Sequence, residues 1–143
     1  MSEPDEGHVA TDRAADEAQI RDLITRWATA VHEGDLDAVL DHHATDIVMF
    51  DVPPPEDGIR GIDAYAACWP PFLEFQASGA TFDILELDVT AGGGVAYAWA
   101  LLRCGPTQEN ADDPGRRLRL TLGFRDGPDG WLVTHEHHSF TQP

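Results

Sequence analysis

The chain has no lysine. All nine of its basic residues are arginines, against 26 acidic ones, which gives a formal net charge of −17 over 143 residues. Without a lysine amine there is no Schiff-base chemistry and no phosphate-binding P-loop lysine. A surface this acidic repels phosphate backbones and anionic lipid headgroups, so neither nucleic acid nor membrane is an expected partner. No apolar run approaches the ~18 residues that a spanning helix needs. The opening stretch MSEPDEGHVATD is acidic and polar, unlike a basic-then-apolar signal peptide, and a cytoplasmic location is expected. Cysteine is scarce: Cys68 and Cys104 lie far apart with no CxxC spacing, the pattern of small buried hydrophobes.

What is present arranges itself as one domain. Residues 1–13 read as a disordered acidic tail and 14–143 as the domain. Ile20, Leu23, Ile24, Trp27 and Val31 recur at helical steps. Gly34 suits the end of that helix, and Asp35 the N-cap of a short second one carrying Leu36, Val39 and Leu40. Ile47 to Phe50 reads as a short strand, and Val52 to Gly58, with three prolines, as a loop. A third helix follows Gly61, with Pro70 and Pro71 expected to kink or interrupt it.

The second half is strand-like. Phe82 to Val89, Val95 to Cys104, Leu118 to Phe124 and Trp131 to Phe140 form an expected meander, with residues 105–115 as a long polar loop. Helices followed by an antiparallel meander predict an α+β fold: three N-terminal helices on a curved sheet, a cone with a cavity at its wide end.

The order of these signals, with Gly34-Asp35-Leu36-Asp37, Ala44-Thr45-Asp46, Asp51-x-Pro53 and the closing Trp131-x-Val133-x-His135-x-His137-x-Ser139, resembles the nuclear transport factor 2-like superfamily and its SnoaL-like and ketosteroid isomerase-like branches. The likeness covers about residues 14–140 and is specific for fold rather than for function. It implies a homodimer through the sheet face.

Asp51 stands where the steroid isomerases carry their catalytic carboxylate. Its two readings are a proton-shuttling group and a loop aspartate capping backbone amides. The resemblance also aligns Trp27 and Leu122 with the two acidic hydrogen-bond donors of the steroid isomerases. An indole is a far weaker acid than a phenol and leucine donates nothing, so isomerisation by that mechanism is not expected. On the last strand, strict alternation puts Trp131, Val133, His135, His137 and Ser139 on one face, and analogy turns that face to the cavity. Asp51, His137 and His135 are then the candidate acid/base residues, or His135 and His137 are hydrogen-bonded core residues.

Trp27, Phe50, Trp69, Phe72, Tyr97, Trp99 and Leu122 are the expected walls for a small apolar or aromatic ligand. Arg103 and Arg119 are either anchors for an anionic group or partners of surface carboxylates. His135 and His137 with Asp51 or the His42-His43 pair offer metal-ligand residue types, but neither set carries a zinc-site spacing, and no metal or other cofactor is expected. His42 and His43 read as surface residues of a short polar helix. Two functions stand open: a cofactor-free enzyme of isomerase, cyclase, dehydratase or hydrolase type on a small cyclic or polyketide-like substrate, and a non-catalytic binding or assembly module.

Overall fold

A computed structural model of the chain describes residues 6–142. Helix α1 spans Glu6–Glu33, α2 Leu36–Leu40, strand β1 His43–Phe50, β2 Ile59–Arg60 and α3 Ile62–Ala77. Then come β3 Thr81–Gly92, β4 Val95–Gly105, α4 Thr107–Asp112, β5 Leu118–Gly127 and β6 Gly130–Phe140. The fold is α+β, with the helices on a curved six-stranded sheet of order β2-β1-β6-β5-β4-β3. Neighbours are antiparallel except β1 and β6, which run parallel. Residues 1–5 of the expected tail lie outside the described residues, and α1 already includes Glu6 to Arg13.

Local chemistry explains the joints. Gly34 takes φ 76°, and the Asp35 side chain accepts from the Ala38 amide, capping α2. α2 ends at Leu40. His42, at φ 57°, turns the chain so that His43 opens β1 instead of extending a helix. α3 continues through Pro70 and Pro71 rather than breaking there. The expected 105–115 loop holds the short helix α4, whose Glu109 pairs with Arg116 beyond it at 3.0 Å.

The core lies between α1, α3 and the inner sheet face. Ile20, Ile24, Trp27 and Val31 of α1 and Tyr65, Trp69 and Leu73 of α3 meet Leu102, Leu118, Leu120, Leu122 and Phe124. Along β4 the inward positions are Ala98, Ala100, Leu102 and Cys104, all buried. Tyr97 and Trp99 therefore point outward, 52% and 39% exposed, and do not wall the cavity as the sequence led us to expect. Among the described residues, no helix is long and apolar enough to cross a membrane.

Candidate active site

The decisive feature is a one-residue irregularity in β6. Opposite Gly123 stands His135, but opposite the next residue, Phe124, stands Val133, so Thr134 is extra. A bulge of this kind reverses the alternation of side chains beyond it. Trp131 and Val133 face the core; so do Glu136, His138 and Phe140, paired with the inward Leu122, Leu120 and Leu118. His135, His137 and Ser139 are turned to the outer face. There the rings of His135 and His137 meet Phe50 edge-on, at 5.2 and 5.6 Å, and His135 Nδ1 lies 2.7 Å from the Val48 carbonyl oxygen. The expected acid/base histidines are thus on the wrong face, and Phe50 is with them.

The face that sequence parity had set aside carries the polar site. Glu136 has no solvent exposure. Its Oε1 accepts from the Tyr65 hydroxyl at 2.6 Å and lies 3.2 Å from His43 Nε2; its Oε2 lies 3.0 Å from His138 Nε2. The Tyr65 oxygen is 3.1 Å from His43 Nε2, and the two rings stack at 5.0 Å. His43 Nδ1 lies 2.8 Å from the Asp41 carbonyl, which can only accept, so Nδ1 carries a hydrogen, and Nε2 donates to Glu136 Oε1 only when the ring holds its second hydrogen as an imidazolium. The His43 side chain is 2% exposed, contrary to its reading as a surface residue.

His138 joins this buried cluster to the cavity. Its Nδ1 stands 3.6 Å from Asp51 Oδ1, and Asp51 also accepts from the Val52 amide at 2.7 Å. Asp51 thus caps a backbone amide, as one of its two readings had it, and its carboxylate borders the cavity.

Burial alone would raise the Glu136 carboxyl, but the hydrogen bonds and charges of His138 and His43 pull it well below the ordinary carboxylate range. Burial disfavours the imidazolium of His138, yet the hydrogen bond and charge of Glu136, joined by the charge of Asp51, raise it above the ordinary 6.5. The Tyr65 phenol is driven far up by burial, then by the charge and hydrogen bond of Glu136, and stays a neutral donor. The nearby indole N–H groups of Trp69 and Trp27 act in the opposite direction, although both are buried without a hydrogen bond of ordinary geometry.

Above Asp51 and His138 opens a cavity of about 590 Å³. Trp69, Phe72, Phe75, Phe82 and Phe140 supply rings, and the Val52 to Pro55 loop borders it. Of the expected walls, Trp69 and Phe72 are in place. Trp27 and Leu122 instead border a second, much smaller cavity of about 20 Å³ behind the network, with His43 and Glu136. Trp27 also packs edge-on against Trp69 and Phe82.

Among the described residues, no arginine lines the main cavity. Arg103 donates to the carbonyls of Asn110 and Pro114, and Arg119 to Ser139 and Phe140, so neither is an anion anchor there. Cys68 and Cys104 do reach the cavity, but burial raises both thiols, Cys104 to about 11, which leaves them protonated and weakly nucleophilic. His135 and His137 lie across the sheet from Asp51, so the metal set considered from sequence is not assembled. Among the described residues, no group of three His, Cys, Asp or Glu could hold a metal ion.

A curved sheet capped by helices around an apolar cavity with a carboxylate–histidine floor defines a cone-shaped pocket protein. The profile of the SnoaL-like domain matches residues 20–143, and the chain belongs to that family within the nuclear transport factor 2-like superfamily. A nuclear transport factor 2-like protein of unknown function from Pseudomonas putida KT2440 is similar at 36% identity over 88% of this chain and 87% of that one, with a TM-score of 0.78. One with a cystatin-like fold from Novosphingobium aromaticivorans is 21% identical over 96% and 90%, TM-score 0.73. A Streptomyces avermitilis member described provisionally as a dehydratase is 18% identical over 91% and 99%, TM-score 0.70. The last two show likeness of fold alone. A comparison with curated proteins gives no match.

Proposed function

We propose that the chain is a cofactor-free acid/base enzyme acting on an uncharged, flat, cyclic substrate, with His138 as the proton-transferring group and Asp51 beside it. One observation carries this: His138 is held between two carboxylates, one fully buried and one on the cavity. Glu136 Oε2 can only accept, so Nε2 of His138 bears the hydrogen and Nδ1 is the nitrogen free to take or give a proton at the cavity. A buried carboxylate that orients a histidine, raises its basicity and stabilises its cation is the support that general acid/base catalysis needs. The apolar walls and the missing arginine favour neutral substrates, and the aromatic rings favour flat ones.

The test is deuterium exchange at carbons next to the carbonyl, followed by proton NMR for a panel of cyclic ketones and enones in D2O. The wild-type chain should accelerate exchange for at least one member. His138→Gln should lose about 100-fold or more of that rate, and Asp51→Asn should lose rate as well. Binding of the same compound should survive both changes. A cavity that binds ring compounds but exchanges none of them would make the chain a binding module instead.

A second copy is the proposed occupant of the outer sheet face. Leu85, Val95, Tyr97 and Trp99 are exposed there. That face sets an acidic edge (Asp83, Glu86 and Asp88 on β3) against a strip bearing Arg119, His135 and His137 on β5 and β6. A two-fold axis near β4 and β5 lays each strip over its opposite, which makes the face self-complementary. Sedimentation should show a dimer at micromolar concentration, and Trp99→Glu should weaken it at least about 30-fold. A monomeric wild-type chain would overturn this pairing.

A further inference from the structure

The Glu136 carboxylate is shared unequally, and what lies behind it has no role in the chemistry proposed above. Oε2 serves His138 at the cavity. Oε1 takes the short hydrogen bond from Tyr65 and faces His43, both on the far side from the cavity floor. Neither Tyr65 nor His43 borders the main cavity, and His43 borders the small one behind it with Asp41 and His42. A hydrophobic core gains nothing from a buried tyrosine–histidine–carboxylate cluster that apolar residues of equal volume could replace. Its geometry has one evident consequence. Each hydrogen bond that Oε1 accepts withdraws negative charge from the carboxylate and so weakens its hold on the proton of His138.

We propose that Tyr65 and His43 are positioning residues that limit the basicity of His138 through the Glu136 they share. Tyr65 through its hydroxyl and His43 through the Nε2–H of its imidazolium hold the carboxylate in one orientation and drain part of its charge, so that His138 can release its proton to a cavity ligand rather than keep it in a tight ion pair. The groups that face His138 fit this division of labour. Glu136 is its neighbour two residues away on β6, and Asp51 follows β1. The thiols of Cys68 on α3 and Cys104 on β4 share the cavity with it. Asp41 and His42 lie beyond His43 at the outer end of the cluster. The inference rests on His138 being the proton-carrying group, but its test needs no substrate and therefore fails or succeeds separately from the enzymatic reading.

The experiment is a pH titration of the ring nitrogens and carbon-bound protons of His138 by NMR on the full chain labelled with 15N-histidine. Tyr65→Phe removes only the hydroxyl that donates to Oε1. The His138 midpoint should rise by about half a unit or more, a threefold stronger hold on the proton. His43→Leu should move it in the same direction, and His43→Gln, which can still donate to Oε1, should restore most of the wild-type value. Glu136→Gln should move the midpoint below the wild-type value. A midpoint in Tyr65→Phe that is unchanged or lowered would overturn the proposal. Should Tyr65→Phe fold poorly, an unchanged or lowered midpoint in His43→Leu would do the same.

Discussion

Glu136→Ala should lower the melting temperature by roughly 10–15 °C, the largest single-residue effect expected outside the apolar core. The substitution strands three groups at once. The Tyr65 hydroxyl loses its 2.6 Å acceptor, and the nitrogens of His43 and His138 lose theirs at 3.2 and 3.0 Å. All three side chains are largely or wholly out of water, so water cannot replace the lost partner freely. Removing one partner of a buried charged pair typically costs about 3–5 kcal/mol. For a chain of this size each kcal/mol shifts the midpoint by about 2–4 °C. Glu136→Gln is the informative companion. It preserves volume and the acceptor for Tyr65 if its oxygen turns that way, but its amide then confronts His138 Nε2 donor to donor. A loss of about half that of Glu136→Ala is expected. Equal, small losses in both variants, measured by thermal denaturation at pH 6, would mean that the network is not formed as described.

The pH dependence of stability follows from the same pair, and its sign can be worked out. Glu136 is held below its ordinary 4.5, so its contribution is present above that pH and is lost as pH falls through the depressed folded value. His138 is raised above 6.5, so its contribution is complete below 6.5 and is lost as pH rises through the elevated value. Both are present together only in the window between about 4.5 and 6.5, where the melting temperature should peak. Above it, stability should decline toward pH 9. The charge of −17 adds a general repulsion with the same trend, so the decline alone does not isolate His138. His138→Gln does: its curve should lie below the wild type near pH 5.5 and converge on it by pH 9. Parallel curves across that range would show that the histidine is not coupled to the carboxylate.

The first three helices, the cap at Asp35 and the proline loop were legible because each rests on local chemistry, whereas α4 read as loop and α3 as interrupted at Pro70 and Pro71. Asp51 was legible too, since its place after a short strand needs no long-range information. The polar site was not, and the reason lies in one residue. Reading a strand two residues at a time assumes an unbroken ladder. The extra Thr134 opposite the Gly123–Phe124 step exchanged the faces of everything from His135 to Phe140. A bulge leaves no compositional mark on its own strand. The glycine at 123, with the His135 Cβ position only 3.4 Å from where its own side chain would begin, is the one trace in the partner strand. Tyr97 and Trp99 misled for the opposite reason: the inward positions of β4 are taken by alanines at 98 and 100, and the large rings were left outside. His43 was hidden by the turn at His42, where a positive φ in a residue other than glycine gives little warning in sequence.

The central claim is that His138 offers Nδ1 to the cavity because Glu136 fixes the hydrogen on Nε2. The most direct measurement is the ring tautomer of neutral His138, read from long-range 1H–15N correlations of the 15N-histidine-labelled chain above its titration midpoint, with and without saturating 2-naphthol. The structure predicts a protonated Nε2, an unprotonated Nδ1, and a shift of the Nδ1 resonance when the naphthol hydroxyl enters the cavity. A neutral form carrying its hydrogen on Nδ1, or an Nδ1 resonance unmoved by naphthol bound in the cavity, would contradict it.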